Sequence, residues 1–191
     1  MTVAVCIASG PSLTKEDVDY CRDKAKVYVV NNGYQIAPWA DVLYACDGRW
    51  WDAYHEDVKK TFKGELWSID TAAICKYNLN SLGVVNNEAW SKSPDAIVTG
   101  GNSGFQVMNF AYIQGAKKII LLGYDMKPRA DGILHWHGNH IPDLTHTCTS
   151  EYPQWVKKFK AAAPLIDIPV INCTRDTALD CFPKLQLRDV L

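Results

Sequence analysis

Val3-Ala4-Val5-Cys6-Ile7-Ala8-Ser9-Gly10-Pro11-Ser12 decides the fold. Its apolar half runs without alternation, the pattern of a strand covered on both faces. Ser9-Gly10-Pro11-Ser12 then breaks it. Thr14 offers a helix N-cap, with Glu16 and Asp17 in the first turn, where negative charge suits the helix dipole. Strand, turn and helix therefore follow one another within about 23 residues, and the same order recurs along the chain.

Strands are expected over residues 26–30, 42–46 and 65–69, ending respectively at Asn31-Asn32-Gly33, at Asp47-Gly48 and before Asp70. An amphipathic helix is expected over 49–62. Residues 70–95 read as irregular, with a short strand near 82–85. A strand end at 97–99 leads through Gly100-Gly101-Asn102-Ser103-Gly104 into a helix over 104–114, with Gly115 suited to its C′ position. Residues 117–122 form the most regular strand and stop at Gly123-Tyr124-Asp125. Residues 126–150 are rich in Pro, Gly, Asp and His without periodicity, which marks a binding loop or lid. A helix over 151–166, a strand over 169–172 and a tail with one helical turn complete the chain. Alternating strands and helices give an α/β fold: a Rossmann-like open parallel sheet with helices on both faces.

The chain has 191 residues and a formal net charge of −1, with 20 Lys plus Arg against 21 Asp plus Glu. That length suits one domain spanning 1–191. The charge balance gives no global pull toward nucleic acid or anionic membrane. No apolar stretch approaches the ~20 residues of a membrane-spanning helix, and residues 1–7 lack the basic start of a signal peptide. Seven cysteines, an odd number with no Cys-x-x-Cys pair, suggest free thiols in a reducing, cytoplasmic compartment.

In open parallel sheets, ligands bind beyond the carboxyl ends of the strands. The polar residues collect there: Ser9, Gly10, Pro11, Ser12, Asn31, Asn32, Asp47, Gly101, Asn102, Ser103, Gly104, Tyr124 and Asp125. Two glycine- and serine-containing turns lead into helices, an arrangement that suits a phosphate. Neither is a Walker loop or a dinucleotide fingerprint. Asn31 and Asp47 are candidates to bind a base or ribose. Asp47 and Asp125 are alternatively candidates to hold Mg²⁺ on phosphates, or simply caps of turns and helices.

Four of the five histidines, His135, His137, His140 and His146, lie within twelve residues. Three readings compete: a general base taking a proton from an acceptor hydroxyl, a zinc site, or solvated rings packed on Trp136. Trp50, Trp51 and Trp136 stand where a ring can stack on a base or sugar; core packing is favoured for the first two, stacking for Trp136.

The turn 8–13, Asn31-Asn32, the segment 40–47, the 99–104 helix start and above all Gly115-Ala116-Lys117-Lys118-Ile119-Ile120-Leu121-Leu122-Gly123-Tyr124-Asp125 carry a resemblance. The chain resembles the Rossmann-like proteins of the DUF115 type, which include 6-hydroxymethylpterin diphosphokinases, and the related bacterial family 42 sialyltransferases. Small members of this kind are often bacteriophage-encoded, which implies a bacterial cytoplasm. The sialyltransferase resemblance implies a nucleotide-sugar donor held by Gly10, Ser12, Asn31, Asp47, Ser103 and Gly104, His137 or His140 as general base, and no metal. Asp47, an acid where that branch carries a neutral Asn, suits the diphosphokinase branch, which implies ATP and Mg²⁺. A nucleotide-sequestering module without turnover is the non-enzymatic alternative.

Overall fold

The computed structural model describes residues 2–138, 141, 144 and 148–191. Among these, a seven-stranded sheet has the order β5-β4-β3-β2-β1-β8-β9, parallel throughout. Its strands are β1 (Val3–Ile7), β2 (Lys26–Val30), β3 (Val42–Tyr44), β4 (Glu65–Ser68), β5 (Asn80–Ser81), β8 (Lys118–Leu122) and β9 (Val170–Asn172). A separate two-stranded sheet pairs β6 (Gly83–Val84) with β7 (Ala96–Ile97). The expected doubly covered parallel sheet is what forms.

Strand alternation divides the core into two layers. Ala4, Cys6, Ala8, Tyr28, Val30, Ile119 and Leu121 face one side, packed with α5 (Ser103–Ile113) and α6 (Tyr152–Ala162). Val5, Ile7, Val27, Val29, Ile120 and Leu122 face the other. That layer holds α1 (Lys15–Tyr20), α2 (Gly33–Ile36), α3 (Gly48–Thr61), α4 (Thr71–Tyr77) and, near the carboxyl terminus, α7 (Leu187–Val190). Small side chains on the α5 side of β1 let the helix come close: the Cys6 thiol lies 3.8 Å from the Val107 carbonyl. Burial on all sides from Gly104 to Ala111 makes α5 a central element, more enclosed than the one-sided stripe of Phe105, Met108 and Ala111 suggests.

Several expectations need correction. The helix expected to run to about residue 23 ends at Tyr20, although Thr14 caps it as expected by accepting from Asp17 N–H. Residues 70–95 are not irregular throughout: Asp70 caps α4 by accepting from Ala73 N–H at 2.8 Å, and Asn78 closes it with φ 53°. A seven-residue helix beside two-residue strands offers too few repeats for periodicity to register. The strand near 82–85 is present as β6, outside the main sheet. α2 was not anticipated. The last long helix is α6, extended by 3₁₀ turns over Thr149–Glu151 and Ala163–Leu165.

Asn109 fixes the approach to the second glycine turn. Fully buried on α5, it accepts from Val98 N–H at 3.0 Å and Ser91 N–H at 3.3 Å, and donates to the Ser91 carbonyl at 2.9 Å. Asn109→Ala strands three buried backbone groups, each costing roughly 1–3 kcal/mol. Urea denaturation of the variant is expected to show a loss of about 3 kcal/mol or more. A loss below about 1 kcal/mol contradicts the role assigned to this side chain.

Candidate functional site

β1 lies between β2 and β8, so the strand order reverses at the β1/β8 boundary. This is the switch point at which an open α/β sheet parts its connections and leaves a crevice. The turns after these two strands are tied together there. Ala8 N–H donates to the Leu122 carbonyl and Gly10 N–H to the Gly123 carbonyl, both at 2.8 Å. Gly123 has φ +71°, and a Cβ on it would stand 2.6 Å from the Ala8 carbonyl oxygen, so glycine is required.

A cleft of about 310 Å³ opens over this boundary. Ser9, Gly10, Pro11, Asn31, Asp47, Gly101, Asn102, Ser103, Gly104 and Asp125 all line it. The two glycine turns therefore share one rim, as expected. Ser12, Asn32 and Tyr124 stand outside the lining and hold neighbours. Ser12 Oγ accepts from Asp176 N–H, Asn32 Oδ1 from the Trp50 indole at 2.8 Å, and the Tyr124 hydroxyl donates to the Gly104 carbonyl at 2.8 Å.

The turns differ in what they offer an anion. In the first, Gly10 N–H is engaged by Gly123, Ser12 N–H donates to Asp125 Oδ2 at 2.9 Å, and Pro11 has no N–H. In the second, Asn102 Oδ1 caps α5 by accepting from Phe105 N–H at 2.9 Å. The amides of Gly101, Ser103 and Gly104 meet no acceptor among the described residues, while that of Asn102 closes the turn over Gly100 and Gly101. An eleven-residue helix adds its positive end at that point. Ser9 is the one amide of the first turn that also meets no acceptor among the described residues, so the greater capacity for an anion rests on the second turn, while most of the first forms a wall.

The loop also brings a histidine to the cleft. His135 lines the cleft; His137 does not, and its ring stacks on His135 at 5.2 Å. His140 lies outside the described residues. Trp136 N–H donates to the Ser9 carbonyl at 3.1 Å, tying the loop to the first turn. Its ring packs against the α1–α3 layer rather than lining the cleft, which removes the stacking role expected of it. Trp50 lines the cleft but is only 2% exposed, and Trp51 is buried in the core. Sequence reading missed Lys127, Glu151, Tyr152 and Trp155, which also line it. Tyr152 and Trp155 stand three apart on one helix face, with ring centroids 5.3 Å apart. That spacing was legible, but nothing in it tells a cleft face from a core face.

The carboxylates do not fit a Mg²⁺ site. Asp47 caps α3 by accepting from Arg49 N–H at 2.9 Å, and the Arg49 guanidinium engages both its oxygens. Asp125 is 3% exposed; Oδ2 takes Ser12 N–H, and Oδ1 is shut off from solvent. Among the described residues no three His, Cys, Asp or Glu side chains gather as metal ligands.

Burial pushes the Asp125 carboxyl up to about 6, and nearby Asp176 adds to the rise; hydrogen bonds from Ser12 oppose it. The folded state thus binds this proton more tightly than the unfolded chain. Asp125 contributes stability at acid pH that is lost as pH climbs through about 6. Asp125→Asn removes that titration. The stability difference between variant and wild type is expected to move in the variant's favour by up to about 3 kcal/mol between pH 4 and pH 7.5. Denaturant titrations at the two pH values check this; a difference independent of pH contradicts it.

No protein-family model matches the chain, and no curated protein matches it significantly. Solved structures do. The sialyltransferase CstII from Campylobacter jejuni, in complex with the substrate analogue CMP-3FNeuAc, aligns over 97% of this chain and 85% of its own, with TM-score 0.54 and 14% identity. An asparagine-to-alanine variant of CST-II in complex with CMP aligns over 97% and 86%, with TM-score 0.59 and 13% identity. At this identity the likeness is one of fold: the chain shares the Rossmann-like architecture of these sialyltransferases.

Proposed function

We propose that the chain is a transferase using a nucleotide-activated donor, a glycosyltransferase of sialyltransferase-like type. The observation that carries this reading is the set of unengaged amides at Gly101, Ser103 and Gly104, at the positive end of α5, on residues that line a cleft at the sheet's switch point. The fold likeness to structures holding CMP and CMP-3FNeuAc supports the same reading. The donor phosphate rests on those amides, and the nucleoside lies along the strand ends toward Asn31. Donors fixed in advance around the phosphate stabilise charge as it develops on the leaving group.

The acceptor enters beneath the loop 126–150, and a loop histidine takes its hydroxyl proton. His137 and His140 are the sequence's candidates. His135, at the cleft wall, joins them by position. A neutral imidazole suits this step near pH 7.

Thermal-shift measurements with CMP, UDP and ATP, each with and without Mg²⁺, test the donor class, since bound ligand raises apparent stability. Stabilisation by CMP or UDP without a metal requirement is expected. Stabilisation by ATP only with Mg²⁺ replaces this reading with diphosphoryl transfer. Binding with no transfer to any acceptor replaces it with sequestration. Once an acceptor is in hand, alanine at the true base among His135, His137 and His140 is expected to lower kcat about 100- to 10,000-fold with nucleotide affinity kept. Unchanged turnover in all three variants removes the histidine base.

A further inference from the structure

A buried carboxylate beside an anion site is an unusual neighbour. Asp125 ends the turn after β8 and lines the same cleft as the residues at the start of α5. Its Oδ1 meets no donor among the described residues and no solvent. That oxygen and the Gly123 carbonyl oxygen both crowd the point where a Cβ on Gly10 would stand, the carbonyl 2.5 Å from it. Oδ1 is therefore a buried acceptor with no donor, a position that a neutral carboxyl makes less costly than an ionised one.

The charges around it do not offset it. Asp176, from the segment after β9, raises its proton affinity. Lys127, two residues on, is held by Asp176 at 2.6 Å. Ser12 donates from the first turn. Tyr152, at the start of α6, is neutral, and its phenol is itself held protonated by burial and by Asp125. Asp47, Glu151, His135 and the Cys46 thiol, which burial holds protonated, complete the titratable lining. A phosphate settling on the α5 amides adds a further negative charge inside the same small cleft, where solvent screens poorly.

We propose that Asp125 couples the cleft's affinity for a phosphate-bearing ligand to proton uptake, the arriving anion driving this buried carboxylate to its neutral form. The proton comes from solvent, and the ligand never touches Oδ1. By reciprocity, protonation strengthens ligand binding by the same factor that the ligand strengthens protonation. The proposal rests on the reading of the cleft as a nucleotide site and adds a pH-dependent control of it.

Calorimetric titration tests this with the 5′-phosphate methyl esters of cytidine, uridine and adenosine, whose single charge does not titrate in the range used. Binding is measured in buffers of different ionisation enthalpy. Uptake of about half a proton is expected near pH 6.5, with affinity about tenfold weaker at pH 8 than at pH 5. Asp125→Asn is expected to bind the same ester with no proton uptake and a flat profile over that range, whereas Asp176→Asn keeps the uptake and moves it to lower pH. Binding by wild type without proton uptake, or uptake that persists in Asp125→Asn, overturns the coupling alone. No binding of any ester overturns the nucleotide reading and the coupling with it. A variant that fails to fold is detected by its circular dichroism; the pH-independence of a folded Asp125→Glu, in which a carboxylate is retained, would equally overturn the coupling.

Discussion

Two hydrogen bonds between turns hold the site together: Gly10 N–H to the Gly123 carbonyl, and Ser12 N–H to Asp125. They join the connections after β1 and β8, adjacent in space but more than 100 residues apart in the chain. Without them the crevice at the switch point has no fixed wall. The constraint reaches back into the glycines, since a side chain on Gly10 collides with Asp125 and one on Gly123 collides with Ala8. It also explains why this turn is a poor anion cradle: the amides that shape it are already engaged.

The second turn has the opposite character. Its shape comes through Asn109 and from the helix cap at Asn102, so the amides of Gly101, Ser103 and Gly104 are left without an acceptor. The result is a division of labour between two turns of similar composition. One is closed by its neighbours and forms a wall; the other stands at the positive end of a buried helix and is ready for charge. A buried helix suits this purpose, because its surroundings screen its terminus less than water does.

Much of the sheet was legible in the residues because continuous apolar runs bounded by glycine, asparagine and aspartate leave few alternatives. β1, β2 and β8 follow from Val3, Lys26 and Lys118 onward by that logic alone. The strand ends were legible too, and most of the polar residues at them line one cleft. What a run of letters does not carry is which amides remain unpaired. Ser9-Gly10-Pro11-Ser12 and Gly100-Gly101-Asn102-Ser103-Gly104 look alike in composition, and beyond the missing N–H of Pro11 it is the distant partners Gly123 and Asp125 that separate them. The loop behaved similarly. His135 and His137 flank Trp136, whose N–H is bound to the Ser9 carbonyl, and only the first of the two rings lines the cleft. Tyr152 and Trp155 were hidden because a helix face aimed at a cleft has the same spacing as one aimed at a core.

Backbone amide mapping by NMR, during titration with the nucleotide that stabilises the protein most, tests the division between the two turns directly. The predicted result is that the largest shifts fall on Gly101, Ser103 and Gly104, with much smaller ones at Gly10 and Ser12. Shifts concentrated on Gly10 and Ser12, or scattered away from both turns, would contradict it.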